Sequence, residues 1–193
     1  MWNRYQVKIQ AHRLTAGIPA NEKMLQAWLE AHQAPLAAAD QQTEMLARLD
    51  VESVHGVVFY RDASGTPCLE GRCLKASLKE SANILKGMLE KKAYKSKLAE
   101  RVFVEEELIQ LAGDILTSER PISVMTMQGP RTSIKRYEYM LDVPMEYHIR
   151  ILDDGVITAD DVRALLEYGQ MNGIGADRSQ GSGQYDLLSF TPV

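Results

Sequence analysis

GIGADRSQGSGQYDLLSF, residues 173–190, places two Gly-x-Gly pairs directly before an apolar, strand-like run. Glycine adopts backbone conformations that other residues disfavour, and it allows another chain to approach the backbone closely. A predicted helix precedes this stretch; it begins at Thr158 with capping-box-like spacing to Asp161 and extends to about Met171. Gly173 is a natural C-terminal cap for that helix. A tight helix-to-strand connection explains Gly173 but not the other three glycines.

The glycine pattern does not match the common nucleotide-cofactor motifs. The dinucleotide-binding fingerprint runs from strand to helix with Gly-x-Gly-x-x-Gly spacing, whereas this stretch runs from helix to strand. A phosphate-binding loop would continue with Gly-Lys-Ser or Gly-Lys-Thr, and this one does not. The sequence therefore predicts no nucleotide cofactor. Close contact with a phosphate backbone or with a second protein chain remains as an explanation.

The composition is typical of a cytoplasmic globular protein. Of the 193 residues, 45% are hydrophobic and 25% charged, and no apolar run is long enough to cross a membrane. The polar N-terminus does not resemble a signal peptide. We expect residues 1–193 to form one domain. Cys68 and Cys73 are expected to be small, half-buried thiols, and the histidines lack metal-ligand spacing, so we expect no metal.

A basic segment contrasts with the net charge of −4. Residues 72–101 contain nine Lys or Arg and three Glu, a net charge of +6. This segment fits either a solvated helix face or a surface that binds phosphate. It begins within RDASGTPCLEGRCLKASLKESANIL, residues 61–85, which predicts a strand, a tight turn and a helix starting near Gly71. Arg72 and Lys75, with Lys79 one turn later, would place cations where a helix start favours an anion.

The remaining pattern alternates strands and helices, and it predicts an α+β fold. The specific expectation is a single ferredoxin-like (RRM-like) antiparallel sheet with helices packed on one face and with inserted helices and loops. The predicted elements are a strand at 5–11, helices from 21 and over 40–49, a strand at 55–62, a helix from 71 to about 91, an ambiguous stretch at 103–116, strands at 122–127, 134–141 and 145–152, a helix from 158 and a strand at 184–190.

Taken together, the two stretches resemble the RAMP superfamily, the ferredoxin-like RNA-binding proteins of CRISPR effector complexes. The nearest resemblance is to the backbone subunits that coat the guide RNA in type III systems. The family's Arg/Lys-Asp-x-x-Gly-x-Pro turn is matched by Arg61, Asp62, Gly65 and Pro67. The signature that opens the next helix is matched by Leu69, Gly71, Leu74 and Lys75. The family's C-terminal glycine loop is matched by Gly173, Gly175, Arg178, Ser179, Gly181 and Gly183.

This resemblance implies a non-catalytic RNA-binding subunit without cofactors. Its partners would be a guide-type single-stranded RNA and either copies of itself or other effector subunits, assembled head to tail like a filament in antiviral defence. The loop departs from the family pattern at Asp177 and Gln180, which reduce its positive charge. The residues expected to contact the RNA sugar-phosphate backbone are Arg72, Lys75, Lys79, Gly173, Gly175, Arg178, Ser179, Gly181, Gly183 and, in a mid-chain loop that forms a thumb in many family members, Arg131.

Two further hypotheses remain open. A solitary relative, encoded by a virus or mobile element, would keep the fold as an interaction or structural protein that does not bind RNA or that mimics an effector subunit. An endoribonuclease would need a general base, for which His12 and His55 are the candidates, although a lone histidine at a strand end is more often structural. Tyr137, Tyr139 and Tyr147 are candidates to stack bases, with packing against the sheet as the commoner role.

Overall fold

A computed structural model describes residues 1–19, 56–89, 91–126 and 129–193 of the chain. The helices predicted from residue 21 and over 40–49, together with His55, lie outside these ranges. The elements are β1 (Trp2–Thr15), β2 (Ile18–Pro19), β3 (Val57–Val58), β4 (Tyr60–Arg61), β5 (Pro67–Glu70), α1 (Gly71–Leu85), α2 (Tyr94–Arg101), β6 (Val102–Val104), β7 (Leu108–Gln110), β8 (Leu116–Thr126), β9 (Gly129–Leu152), α3 (Ala159–Asn172), a 3-10 helix (Arg178–Gln180) and β10 (Tyr185–Pro192).

The larger sheet is built on the two long strands β1 and β9. They pair antiparallel over a register that runs from Trp2 opposite Leu152 to Thr15 opposite Tyr139. β10 pairs antiparallel with the other side of β1, and β8 and β6 both pair antiparallel with β9. The strand order is β10-β1-β9-β3-β2, with β6 and β8 attached to β9.

The predicted α+β class is confirmed, but the prediction of a single antiparallel, ferredoxin-like sheet is wrong. β3 runs parallel to β9, and a second sheet of order β4-β5-β7 lies beside the larger one. The strand predicted over 55–62 is divided at Phe59, whose backbone N–H donates to the Glu138 carboxylate at 2.9 Å. Because a side chain satisfies this amide, the chain can leave the larger sheet and begin the second one.

β9 is one strand, although residues 142–144 were predicted to separate two. Asp142 has a φ of 49°, and its carbonyl oxygen accepts a hydrogen bond from Gln10 Nε2 at 2.6 Å. The ladder passes this point without a pair between His12 and Asp142. Strict alternation along β1 would bury residue 13 after Ala11, but the next buried residue is Leu14. This irregularity turns Arg13 away from the core.

One face of the larger sheet is buried beneath the helices. α2 was not predicted, because lysines surround its two fully buried residues, Tyr94 and Leu98. No helix in the described ranges is long and apolar enough to span a membrane. Burial of this apolar surface is the main stabilising contribution to the fold. The core includes Val7, Ile9, Ala11, Leu14, Leu74, Leu78, Leu98, Met140, Met145, Tyr147, Ile149, Leu165 and Leu166.

The predicted capping box at the start of α3 is confirmed. The Thr158 hydroxyl accepts from the Asp161 N–H at 3.2 Å, and the Asp161 carboxylate accepts from the Thr158 N–H at 2.8 Å. Burial by itself would raise the pKa of Asp161. The hydrogen bonds from Lys91 and Thr158, together with the charge of Lys91, outweigh this effect, so the pKa lies below its ordinary value. The helix start is therefore satisfied by a charged pair as well as by the usual cap.

Side chains of α3 cover the outer edge of β10. The Leu187 N–H donates to the side-chain oxygen of Gln170 at 2.9 Å. Arg163 Nη2 donates to the Phe190 carbonyl at 3.0 Å, and its guanidinium lies over the Phe190 ring. Backbone groups that face away from β1 thus have partners within the same chain.

Glu105, in the connection from β6 to β7, holds that connection to the polar face of the sheet. Its carboxylate accepts from Arg4 Nε at 3.1 and 3.0 Å and also from Arg150. Arg4 first and Arg150 second lower the pKa of Glu105 from its ordinary 4.5 to about 2. The carboxylate therefore remains charged in the folded protein at pH values where an unfolded chain would be protonated.

Glu105→Gln is expected to lower the free energy of unfolding at neutral pH but to have little effect near pH 2. Because the folded pKa is depressed, the stabilisation is present above pH 4.5 and is lost as the pH falls from 4.5 towards 2. Urea unfolding as a function of pH measures this. Glu146→Gln, which removes an exposed ion pair with Lys8, is the control. An equal loss of stability at both ends of the pH range would contradict the assignment.

Candidate nucleic-acid interface

The start of α1, predicted to receive a phosphate, is engaged within the chain. The Gly71 N–H donates to the Glu107 carbonyl at 2.8 Å, and a Cβ at Gly71 would lie 2.0 Å from the Glu106 carbonyl oxygen. Arg72 donates to both carboxylate oxygens of Glu70, at 2.9 and 2.6 Å. The first backbone donor and the first cation of the helix thus already have partners.

The two lysines of α1 differ in how accessible they are. Lys75 Nζ donates to the Ala99 carbonyl at 2.8 Å and lies 3.8 Å from the centre of the Phe103 ring. Burial, and secondarily the charge of Lys79, lower the pKa of Lys75. Lys79 is half-buried and has no ion-pair partner among the described residues. Of the three cations predicted on α1, Lys79 alone has no hydrogen-bond or ion-pair partner among the described residues, although Arg72 is more exposed.

The glycine loop, residues 173–184, packs on its own backbone. Gly173 and Gly183 have φ values of 78° and 79°, and the Ile174 N–H donates to the Gly183 carbonyl at 2.9 Å. A Cβ at Gly183 would lie 1.8 Å from the Ile174 carbonyl oxygen, and one at Gly173 would lie 2.7 Å from that of Ser182. The two outer glycines are therefore required by a close approach inside the loop.

The inner glycines serve the turn rather than a close approach. Gly175 and Gly181 have φ values of 75° and 79°. Gly181 ends the 3-10 helix, and nothing lies within 4 Å of the place where its Cβ would be. A Cβ at Gly175 would lie 3.2 Å from Leu14 Cδ1 of the core, which is a side chain rather than backbone. Gly181 is consequently the glycine of the loop with open space beside it.

The glycine loop, which precedes β10, lies beside β1 beyond the first residue of β10, Tyr185. The Gly183 N–H donates to the Arg13 carbonyl at 2.7 Å, and the hydroxyls of Thr15 and Ser182 share a buried hydrogen bond of 2.6 Å. These contacts fix the loop against the end of β1. They also place the 3-10 helix of the loop next to the side chains that project from the larger sheet at this end of β1.

The structure brings the two motif-bearing stretches of the sequence together. The Ser77 hydroxyl of α1 donates to the Gly173 carbonyl at 3.0 Å, and Arg178 forms an ion pair with Glu80 of α1. Ser179 is exposed. Most of the expected RNA contacts thus lie on two touching elements, but Arg178 already has a carboxylate partner.

Three cations and two tyrosines form a basic-aromatic cluster beside the glycine loop: Arg13, Arg120, Lys135, Tyr137 and Tyr139. The Arg13 guanidinium lies 4.1 Å from the centre of the Tyr139 ring and donates to the Tyr137 hydroxyl at 3.3 Å. Arg120 and Lys135 lie 5.6 and 5.9 Å from the centre of the Tyr137 ring. Cations and aromatic faces are thus interleaved over one surface.

Asp177 of the glycine loop is the acidic member of this surface. Its carboxylate accepts from Arg120 Nη2 and from Lys135 Nζ, both at 3.1 Å. Arg13 has no carboxylate partner among the described residues. The cluster therefore keeps a net charge of +2 after Asp177 is counted. Arg120 also donates to Gln180, while its Nε is buried without a partner.

Sequence reasoning missed the cluster as a unit. Tyr137 and Tyr139 were candidates for stacking, but no motif connects them with Arg13 or Arg120. Only the register of β1 and β8 against β9 joins these residues. Arg131 lies further along the hairpin of β8 and β9, where its backbone is opposite Val124.

The remaining candidates fall elsewhere. His12 is exposed, and its Nε2 lies 2.9 Å from the Asp186 carboxylate. Tyr147 is buried in the core, and both cysteines are free, Cys68 buried and Cys73 half-buried. Side chains of the β6–β7 connection and β9 approach closely enough to suggest a metal site, but the arginines on Glu105 occupy its carboxylate; these side chains are Glu105, Glu106 and His148.

The turn that matched the family pattern has a structural role. One oxygen of the Asp62 carboxylate accepts from the backbone N–H groups of Ser64 and Thr66, both at 2.9 Å, and the other accepts from Gln110 at 2.7 Å. The Ser64 hydroxyl also donates to the Asp62 carboxylate, at 2.6 Å, and this bond first and the one from Gln110 second lower the pKa of Asp62 to about 2. Gly65 supplies a φ of 84°. The turn therefore holds β4, β5 and β7 together.

Solved structures share this fold at low sequence identity. One chain of the type III-B Cmr-beta complex bound to cognate target RNA, determined by cryo-EM, aligns with 100% of this chain at a TM-score of 0.59 and 13% identity. This chain spans 61% of that chain's length. Cmr6 from Pyrococcus furiosus aligns over 97% of this chain and 99% of its own at a TM-score of 0.45 and 9% identity.

No protein-family model and no curated protein sequence matches the chain. The first structural likeness shows a common fold, and it does so over the whole chain. The resemblance to type III effector subunits, predicted from the two motif-bearing stretches, is therefore confirmed at the level of the fold.

Gly183→Ala and Gly181→Ala form a matched pair that tests the self-packing of the glycine loop. Both residues have a φ of 79°, so both substitutions carry the cost of a left-handed conformation, about 1–2 kcal/mol. Only Gly183→Ala adds a clash with backbone. We expect it to cost about 3 kcal/mol or more in urea unfolding. Similar losses for the two variants would argue against the close approach.

Proposed function

We propose that this chain, which shares its fold with a subunit of a type III-B complex, is an RNA-binding subunit of a CRISPR-type ribonucleoprotein. The observation that carries the proposal is the basic-aromatic cluster, with its net charge of +2 and an arginine stacked on a tyrosine. RNA would lie across this cluster and the neighbouring glycine loop. The contacts would be made to the sugar-phosphate backbone and to base faces, without sequence readout.

The chemistry of the cluster suits single-stranded RNA. Unpaired bases stack on tyrosine rings and on guanidinium planes, and stacking tolerates any base because every base has a π-face. The Arg13 guanidinium lies on Tyr139 and donates to Tyr137, so its plane is held in place before a base arrives. Duplex RNA would hide the base faces that such a surface can use.

The residues that the sequence predicts to contact RNA differ in how readily they could reach a phosphate. Lys79, Ser179 and Gly181 are open enough to reach a phosphate chain as the fold stands. Arg72 and Arg178 would first have to exchange a carboxylate partner for phosphate. The outer glycines, Gly173 and Gly183, would act indirectly by holding the loop in place.

The hairpin of β8 and β9 is proposed to contact a neighbouring subunit or to separate bases. Residues 116–126 pair with 129–139, and the outer eight of these eleven pairs, from Glu119 opposite Arg136 to Thr126 opposite Gly129, form a ribbon with no third strand among the described residues. Two-stranded ribbons are marginally stable in water unless something packs against them. A neighbouring copy or an RNA strand would supply that packing. Repetition of the same contact would extend a head-to-tail assembly rather than close a dimer.

The alternative proposal, a solitary interaction protein that does not bind RNA, is favoured by a specific pattern of ion pairs. Arg72 pairs with Glu70, Arg178 with Glu80, and Arg120 and Lys135 with Asp177. Internal carboxylates thus neutralise much of the positive charge that RNA would use. RNA binding separates the two proposals directly, because the alternative expects none.

We expect the purified protein to carry nucleic acid and to elute as a large species. Size-exclusion chromatography with light scattering, read at 260 and 280 nm, measures both properties. Nuclease treatment or high salt should dissociate the species, because phosphate contacts weaken as salt rises. A monomer free of nucleic acid would overturn the assembly proposal and favour the solitary interaction protein.

Arg13→Gln is expected to weaken binding of a labelled single-stranded oligouridylate and to reduce the salt slope by about 0.7, the value for one lost phosphate contact on a single strand. Lys8→Gln is the matched control, because Lys8 lies on the same strand but pairs with Glu146 away from the cluster. Fluorescence anisotropy over a range of salt concentrations measures both effects. Equal losses for the two variants would place the RNA elsewhere.

A further inference from the structure

We infer that Asp177 is an internal anion that occupies the phosphate position of the basic-aromatic cluster and sets its affinity for RNA. The inference rests on the proposed function, because it concerns the same surface. Asp177 lies between Arg120 Nη2 and Lys135 Nζ, 3.1 Å from each, with all three side chains no more than 25% exposed. Two cations that converge on one carboxylate form a geometry in which a phosphate oxygen is an equivalent ligand.

The backbone at Asp177 is adapted to presenting this carboxylate. Its φ is 56°, in the left-handed region that most side chains disfavour and that aspartate and asparagine tolerate best. Its carbonyl oxygen accepts from the Gln180 N–H at 2.9 Å, which ties the residue to the 3-10 helix. Glycine would be the easier residue at this φ, so conformation alone does not account for an acidic side chain here.

The surface around Asp177 retains unused capacity for an anion. Three cations face one carboxylate, and Arg13 makes no ion pair among the described residues. The Nε of Arg120 is buried without a hydrogen-bond partner. A phosphodiester carries one negative charge shared by two non-bridging oxygens on one phosphorus, so it can engage both cations that Asp177 now holds and remain close to Arg13. The ligand class is therefore a phosphodiester of single-stranded RNA.

Competition of this kind has two measurable consequences. RNA that reaches Arg120 and Lys135 must displace the Asp177 carboxylate, which lowers the affinity of the unmodified protein. Because Asp177 already neutralises the two cations, binding of RNA releases few counterions. The affinity for RNA therefore depends only weakly on the salt concentration. Removal of the carboxylate should reverse both effects together.

Asp177→Asn tests the inference, with Asp186→Asn as a control of the same charge change. Asp186 lies on β10, is 64% exposed and pairs with His12 outside the cluster. For a labelled single-stranded oligouridylate, Asp177→Asn should raise the affinity about tenfold at low salt, as expected for one charge-assisted contact. It should also steepen the salt slope by about 1.4, the value for two added phosphate contacts. Asp186→Asn should do neither.

Asp177→Gly guards against a folding defect, because it removes the carboxylate while easing the left-handed backbone. Thermal unfolding identifies whichever variant retains its fold, and the binding result is taken from that variant. Tighter binding with a steeper slope supports the inference, even if the unmodified protein does not bind RNA. If the unmodified protein binds and neither variant differs from Asp186→Asn, the inference fails and the proposed function stands. If no variant binds, both fail.

Discussion

The antiparallel pairing of β1 with β9 is the constraint on which the rest of the structure depends. It aligns the buried residues of both strands on one face, which the helices cover, and the polar residues on the other. It also determines where other strands can attach, since β10 uses the free side of β1, β6 and β8 use the free side of β9, and β3 follows β1 along the other side of β9. Near its end the irregularity at Asp142 shifts the pattern of burial, and this change releases Arg13 from the core to face the tyrosines of β9.

The glycine loop completes the basic-aromatic cluster on this frame. Because Gly173 and Gly183 let its two ends touch, the loop is closely folded, and it can lie beside β1 just before β10 begins. Its acidic residue then meets cations from β8 and β9, while its arginine meets α1. The loop and the strands β1, β8 and β9 thus contribute to one surface. The same compactness accounts for much of the glycine content without any ligand.

Local signals in the sequence were sufficient for some features and insufficient for others. The capping box at Thr158, the cap at Gly173 and the turn after Arg61 depend on neighbouring residues, and each could be predicted from its own stretch. The point where the chain leaves the larger sheet for the second one is marked by the contact of Phe59 with Glu138, far apart along the chain, and no periodicity reveals it. Likewise Arg13 and Arg120 belong to different strands, and their meeting depends on the register. Ion pairs of the basic segment were equally hidden, because a charge count does not show which carboxylate each arginine faces.

The way α3 covers β10 has a consequence for how the molecule can join others. Strand addition, in which a foreign strand extends a sheet through backbone hydrogen bonds, requires free N–H and C=O groups along an edge. At Leu187 and Phe190 those groups are held by Gln170 and Arg163, so a strand that approached β10 there would have to break two internal bonds before it gained any. Growth into an amyloid-like ribbon is hindered at that edge for the same reason. The sheet is in this respect closed on its β10 side, and association there must proceed through side chains.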